Sequence, residues 1–274
     1  MKLGRLVAIL WIFAAVPSFA ADSTGINELY VYPSFQYFQW EEYHAGQRLL
    51  KETGPLFGAG AAIGLEGPKL GNNNFFTLKA KGELFGGVID YDGHAQDLQT
   101  GEQFPIKTDV DYFGTKGEAD LGWRYTVGQF YLEPFGGLGI RWWLRDLQDT
   151  TSTDANGNTV QVAGYQEDWL SAYARVGLRG GFYVSGNVRV FAEGGAKYPF
   201  YTRNSTDFPG VGSVTVKPGG RWSAFAELGA QYKWFRPSVF YEGFRYADSP
   251  PSSGLFQPES DSDIIGVNLG FAFR

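Results

Sequence analysis

The last stretch of the chain, Asp263 to Arg274, constrains the fold more than any other. Counted in twos, Ile265, Val267, Leu269, Phe271 and Phe273 fall on one side. Gly266, Asn268, Gly270, Ala272 and Arg274 fall on the other, and Ile264 is the one large apolar residue out of phase. A period of two makes a strand with one apolar and one polar face. A chain that crosses lipid with such strands must close them on themselves, because hydrocarbon offers no partner to an open edge.

The pattern recurs upstream and predicts ten strands. In the first, about 29–43, Val31, Pro33, Phe35 and Tyr37 alternate with Tyr32, Ser34 and Gln36. Phe38 and Trp40 then break the phase, which predicts a bulge near Tyr37. Later strands put Leu78, Leu121, Leu138, Val176, Val190 and Leu228 on the apolar side. The penultimate strand is less regular, with Glu242 and Arg245 on opposite sides. Short turn-rich connections (67–74, 126–128, 185–187) alternate with long polar ones (91–107, 146–167, 202–220, 248–262). Within 146–167, Asn156-Gly157 is a type I′ hairpin signal. An even number of strands leaves both termini on the side of the short turns.

Lys2 and Arg5 followed by the apolar run 6–16, with Ser18 and Ala20 ahead of Ala21, have the layout of a secretory signal. Residues 1–20 are therefore expected to be removed, leaving 21–274 as a single barrel domain. Loss of the two signal cations takes the formal net charge from −6 to −8. An acidic balance argues against nucleic-acid binding. The chain has no cysteine, so disulfides and thiolate metal sites are excluded. No run of 18 apolar residues follows the signal, which excludes membrane-spanning helices.

Alternation alone does not say which face meets lipid. Aromatics gather near strand ends on the apolar side (Trp123 and Tyr125; Tyr198 and Phe200; Trp222, Tyr232 and Trp234), as the two interfaces of a bilayer require. The opposite side carries glycine and charge, including Gly58, Gly60, Gly139 and Gly177. The fold class expected is all-β, a transmembrane antiparallel up-and-down β-barrel.

These features resemble the bacterial outer-membrane β-barrel proteins, small and porin-like, over 29–274. The closing Val267, Leu269, Phe271, Phe273 run is similar to their C-terminal insertion signal, with Arg274 added after the aromatic. The resemblance implies a monomer in the bacterial outer membrane. It also implies contact with outer-membrane lipid and lipopolysaccharide, insertion by the outer-membrane assembly machinery, and no cofactor.

The polar face predicts a lumen charge network of Lys79, Glu83, Lys116, Glu118, Asp120, Glu133, Arg141, Arg175, Arg179, Arg189, Glu193, Lys197, Arg221, Glu227 and Glu242. A narrow barrel full of confined charges implies ion pairing that occludes the lumen. Function would then rest in envelope structure or in surface interaction through the extracellular loops. The alternative is a narrow, anion-leaning solute channel.

A third reading is a hydrolase at the rim. Omptin proteases pair an Asp-x-Asp with an Asp-x-His, and Asp109 with Asp111 and Asp92 with His94 have those spacings. The two pairs sit at opposite ends of one predicted loop, not on distant strands, and Gly93 between Asp92 and His94 argues for a plain turn. His44, beside Glu41 and Glu42, has no serine near it in sequence. Asp154, Asn156 and Asn158 have glycine at the wrong place for a calcium loop. The run Glu259, Asp261, Asp263 is expected to be a solvated rim. No catalytic, cofactor or metal residue is assigned.

Overall fold

The computed structural model describes residues 25–69, 73–96, 103–154, 157–208, 212–252 and 254–273. Residues 1–20, expected to be a signal, lie outside the described residues, as do Asn156 and Arg274. The strands are β1 (Gly25–His44), β2 (Gln47–Lys69), β3 (Asn74–Gln96), β4 (Gln103–Val127), β5 (Phe130–Leu147), β6 (Thr150–Thr153) and β7 (Thr159–Val162). They continue as β8 (Gln166–Ser185), β9 (Val188–Phe208), β10 (Gly212–Val216), β11 (Gly220–Arg221), β12 (Ser223–Tyr232), β13 (Phe235–Tyr246) and β14 (Glu259–Phe273).

Ten of them form one antiparallel ring: β1 to β5 in order, then β8, β9, β12, β13 and β14, with β14 paired back onto β1. Every edge is closed, as a sheet in hydrocarbon must be. The β6–β7 hairpin and β10 extend two of the long connections, and Gly157 lies between the two strands of the former with φ of 84°.

The outside carries a continuous apolar belt. Leu121, Leu138, Ile140, Val176, Leu178, Leu228, Val239 and Ile265 are all exposed on it. Trp123, Tyr125, Tyr232 and Trp234 edge it at the end that holds the termini, and Tyr198, Phe200 and Trp222 edge it at the other. Above this second edge the outward residues turn polar within one or two steps, at Asp90, Asp111, Asp146, Asp168, Arg203 and Asp263. So sharp a boundary marks the interface of a bilayer.

The strands outrun the belt. β4 has 25 residues, about 80 Å of chain and on the order of 60 Å of height at the usual tilt. The apolar band of such a barrel needs only about 25 Å. Where the sequence pattern predicts a loop at 91–107, β3 runs on to Gln96 and β4 resumes at Gln103. β1 and β2 likewise continue to a two-residue turn, Ala45-Gly46, with φ of 50° and 79°, the left-handed pair of a type I′ hairpin.

The predicted bulge near Tyr37 is absent. The pairing of β1 with β14 runs in step through Tyr37↔Ile265, Phe38↔Ile264 and Trp40↔Ser262. The register shifts of β1 against β2 lie instead at Ile26/Glu28 and Glu42/Tyr43. Phe38 and Trp40 are apolar because they point inward, each 1% exposed. Ile264, also out of phase in the sequence, joins them at 2%. The upper barrel therefore has its own apolar core inside, including Trp143, Trp169, Phe244 and Tyr246.

Candidate functional site

Every large side chain on the inner face must share a cavity about ten strands around, and the interior is filled in layers. Glycine makes room for the rings. A Cβ on Gly60 would strike the ring of Tyr32, its cross-strand partner, and one on Gly139 would strike Tyr173, also directly opposite. The aromatic rings thus lie flat over neighbouring backbone, and the glycines of the polar face are their seats.

At the level of the belt the layers are ionic. Arg189 donates to Glu28 at 2.7 Å, and Arg236 lies 3.3 Å from Glu28 and 3.8 Å from Glu227. Lys81 lies 3.7 Å from Glu227. Higher up, Arg179 reaches three carboxylates on three other strands: Asp120 (2.6 Å), Glu133 (2.7 Å) and Glu193 (2.8 Å). Arg175 pairs with Glu193 at 2.6 Å and with Glu118. Lys79 adds a third cation to Glu193 at 3.1 Å.

Glu242 holds Lys116 and Lys197, each at 2.6 Å. Glu83 accepts from Tyr32 at 3.0 Å and from Gln36. In a low dielectric these pairs screen each other's charge, and shared partners lower the ordering cost. A cavity of about 40 Å³ remains among Lys116, Glu118, Arg175, Glu193 and Glu242, room for a few waters.

Fourteen of the fifteen charged residues predicted for the lumen face inward in this way. Arg221 does not. It is exposed, pairs with Glu259, and lies beside Asp261 on the outer side. The cause is a slip of one residue at Trp222. Phe225 pairs with Glu242 but Arg221 pairs with Arg245, so the sum of the partner numbers falls by one across Trp222. A one-residue slip turns a side chain to the other face. Arg245, out of phase in the sequence, faces outward with it and donates to Asp263 at 2.7 Å.

Arg141 is the predicted lumen cation that has no carboxylate partner among the described residues. Its guanidinium is instead caged by Phe85, Trp143 and Phe244, each ring centroid 4.9 Å away, with Phe38 at 5.8 Å. Ring faces carry the negative part of the aromatic quadrupole and attract a cation.

Above Arg141 the lumen is sealed by aromatics. Trp40 lies 5.1 Å from Trp169 and 6.0 Å from Tyr246, and Trp143 stacks on Trp169 at 5.2 Å. These residues come from β1, β5, β8 and β13, which lie around the whole ring, so the cluster spans the bore.

Above that plug lies a second set of charges. Arg145 is buried between Glu52 and Glu167, the latter at 2.9 Å. Glu42 is buried beside them and accepts from the Trp40 indole at 3.0 Å and from Gln257 at 2.9 Å. Burial pushes the Glu42 carboxyl up to about 7. Arg145 and the Trp40 hydrogen bond oppose that rise, and Glu167 and Glu52 add to it. Sequence reading missed Glu28, Arg236, Glu42, Glu52 and Glu167. Glu28, Glu52 and Glu167 sit past the predicted strand limits, but Glu42 falls inside the first predicted strand and Arg236 is in phase with Glu242, so both were open to the same parity argument.

The ring closure, the belt and the tall upper barrel invite comparison with known structures. The chain is similar to the crystal structure of the outer membrane protease OmpT from Escherichia coli. The match has a TM-score of 0.53 and 13% identity, covering 92% of this chain and 99% of that one. This protein has the fold of the bacterial outer-membrane β-barrels. Its exterior belt and closed edges belong in that membrane.

Two further crystal structures also align. They are Ail, the attachment invasion locus protein of Yersinia pestis (TM-score 0.28, 9% identity, 89% of this chain and 99% of that), and Neisserial surface protein A (TM-score 0.31, 11% identity, 91% and 99%). No family model matches the sequence, and no curated protein matches it.

The rim residues weighed for hydrolysis do not converge in this barrel. Asp92 and His94 on β3, and Asp109 and Asp111 on β4, all lie on the outer face and are exposed. They sit on paired strands, not at the two ends of a loop: Asp92 is opposite Lys107, and Asp109 is opposite Asp90. His44 stacks 5.2 Å from Phe256.

Proposed function

We propose that this protein is a sealed barrel that acts in envelope structure or in surface interaction through its extracellular loops, without catalysing a reaction. One observation supports it above the others: a plug of tryptophan and tyrosine fills the bore above an ionic layer that already fills the belt region. A hydrated ion would have to displace both. The upper barrel and its long connections then become the surface offered to partners. The barrel would be a monomer held by outer-membrane lipid and lipopolysaccharide and inserted by the assembly machinery.

Planar-bilayer recording tests this reading. No unitary current is expected from the purified protein. Stable unitary steps with anion preference would replace it with the narrow channel. Cleavage of a peptide or lipid by the purified protein, lost on His94→Ala, would replace it with a rim hydrolase.

A further inference from the structure

Between β13 and β14 the chain returns to the barrel by way of residues 254–258, and it does so over the extracellular mouth. Gln257 turns inward and is 5% exposed. Its amide is used at both ends. The Nε2 donates to Glu42 on β1 at 2.9 Å, and the Oε1 accepts from Asn204 on β9 at 3.0 Å. β1 and β9 are not neighbours in the ring, so one side chain bridges the opening. The backbone behind it is fastened too: Ser249 N–H donates to the Gln257 carbonyl at 2.9 Å, and Gln257 N–H donates to the Ser249 hydroxyl at 2.8 Å.

Glu42 is the anchor of this arrangement, and it has no cation of its own among the described residues. The groups that face it are Glu52 on β2, Arg145 on β5, Glu167 on β8, Tyr91 on β3 and Tyr165 just ahead of β8, with Tyr112 on β4 donating to Glu52 behind them. Arg145 is already bonded to Glu52 and Glu167. With all three glutamates ionised, the chamber holds three negative charges against one positive charge.

We propose that Gln257 is a pH-sensitive latch on the extracellular mouth, closed over a protonated Glu42 and released when that carboxyl ionises. A protonated Glu42 keeps a carbonyl-type oxygen that accepts from both Trp40 and Gln257. An ionised Glu42 carries a buried charge with no counter-ion, and water relieves it only if Gln257 withdraws.

The direction follows from burial. The closed-state carboxyl titrates at about 7, whereas one hydrated in an open mouth titrates near 4.3. Between these values the closed form holds the extra proton. Closure therefore weakens about tenfold for each unit of rising pH and levels off above 7.

The chain has no cysteine, so paired labels report the latch cleanly. Nitroxides at Leu255→Cys and Arg48→Cys, in full-length protein in lipid, should give one narrow distance at pH 5 and a longer, broader distribution at pH 8.5. Glu42→Gln should hold the narrow distance at both pH values, and Gln257→Ala should give the broad one at both. His44, stacked on Phe256 of the same segment, is the rival titrating group, and His44→Gln should leave the response intact. Equal distributions at the two pH values in the otherwise unaltered chain would overturn the latch, as would a response that survives Glu42→Gln or vanishes with His44→Gln. The readout is independent of whether the barrel conducts.

Discussion

Trp143 and Trp169 face each other across β5 and β8, with ring planes 10° apart and centroids 5.2 Å apart, 1% and 0% exposed. A stack this buried, inside a barrel rather than between two sheets, is the centre of the upper core. Trp169 also donates its indole N–H to Glu167 at 2.7 Å, so it joins the plug to the charged layer above.

Trp169→Ala is expected to lower stability by about 3–5 kcal/mol, the usual cost of emptying a large aromatic site. Trp169→Phe keeps most of the packing and loses the hydrogen bond, with a cost of about 1–2 kcal/mol. Urea unfolding of the two variants in lipid vesicles separates the contributions. Equal losses would mean that packing in the plug matters less than its polar link.

Two buried arginines should respond in opposite ways. Arg179 compensates Asp120, Glu133 and Glu193 together, so Arg179→Met strands carboxylates and should cost about 3–5 kcal/mol. Arg141 has a cage of rings and no carboxylate partner among the described residues, and Arg141→Met removes a buried charge while leaving an apolar stem against those rings. That change should fall within about 1 kcal/mol of the parent, the lost cation–π attraction offsetting the relieved desolvation. Matched denaturation curves decide it, and a heavier loss at Arg141 would mean that it has a counter-charge the cage does not reveal.

Within the belt, the fold was legible in the sequence because lipid imposes one rule on every outward side chain. Leu228, Val190 and Ile140 face outward, and Glu193, Arg175 and Lys197 inward, for that reason. The same rule misled where the lipid ends. Phe38, Trp40 and Ile264 broke the alternation, and a bulge is the natural inference if apolar must mean outward. Above the membrane that premise fails, since water lies outside and the core is within. The out-of-phase residues were the signal of an inverted upper barrel. Arg221 failed for the opposite reason: a true slip at Trp222 leaves no trace in a run of alternating residues that begins only at Trp222.

Glu42 should make stability fall with rising pH. Its folded carboxyl titrates at about 7 and an unfolded one near 4.3, so the native state holds the extra proton between those values. Below about 4 the group costs nothing. The penalty grows through the window and would reach about 4 kcal/mol above 7 with the mouth held shut, release of Gln257 limiting it to a smaller value. Glu42→Gln removes it, so the variant should match the parent at pH 4 and exceed it most at pH 8. A gain of the same size at both pH values would show that packing, not ionisation, separates glutamate from glutamine at this site.

The height of the lipid boundary can be read with one kind of substitution at two levels. Leu228 is exposed in the middle of the belt, opposite Val239 and Ala192 on its neighbours. Leu228→Arg puts a charge in hydrocarbon and should cost about 2–4 kcal/mol. Asp109 stands above the belt, directly opposite Asp90, and like charges in that relation repel. Asp109→Arg turns repulsion into attraction and should gain about 0.5 kcal/mol, less at high salt. Unfolding from vesicles supplies both numbers. If Leu228→Arg were tolerated as easily as Asp109→Arg, the apolar belt would not be in contact with lipid.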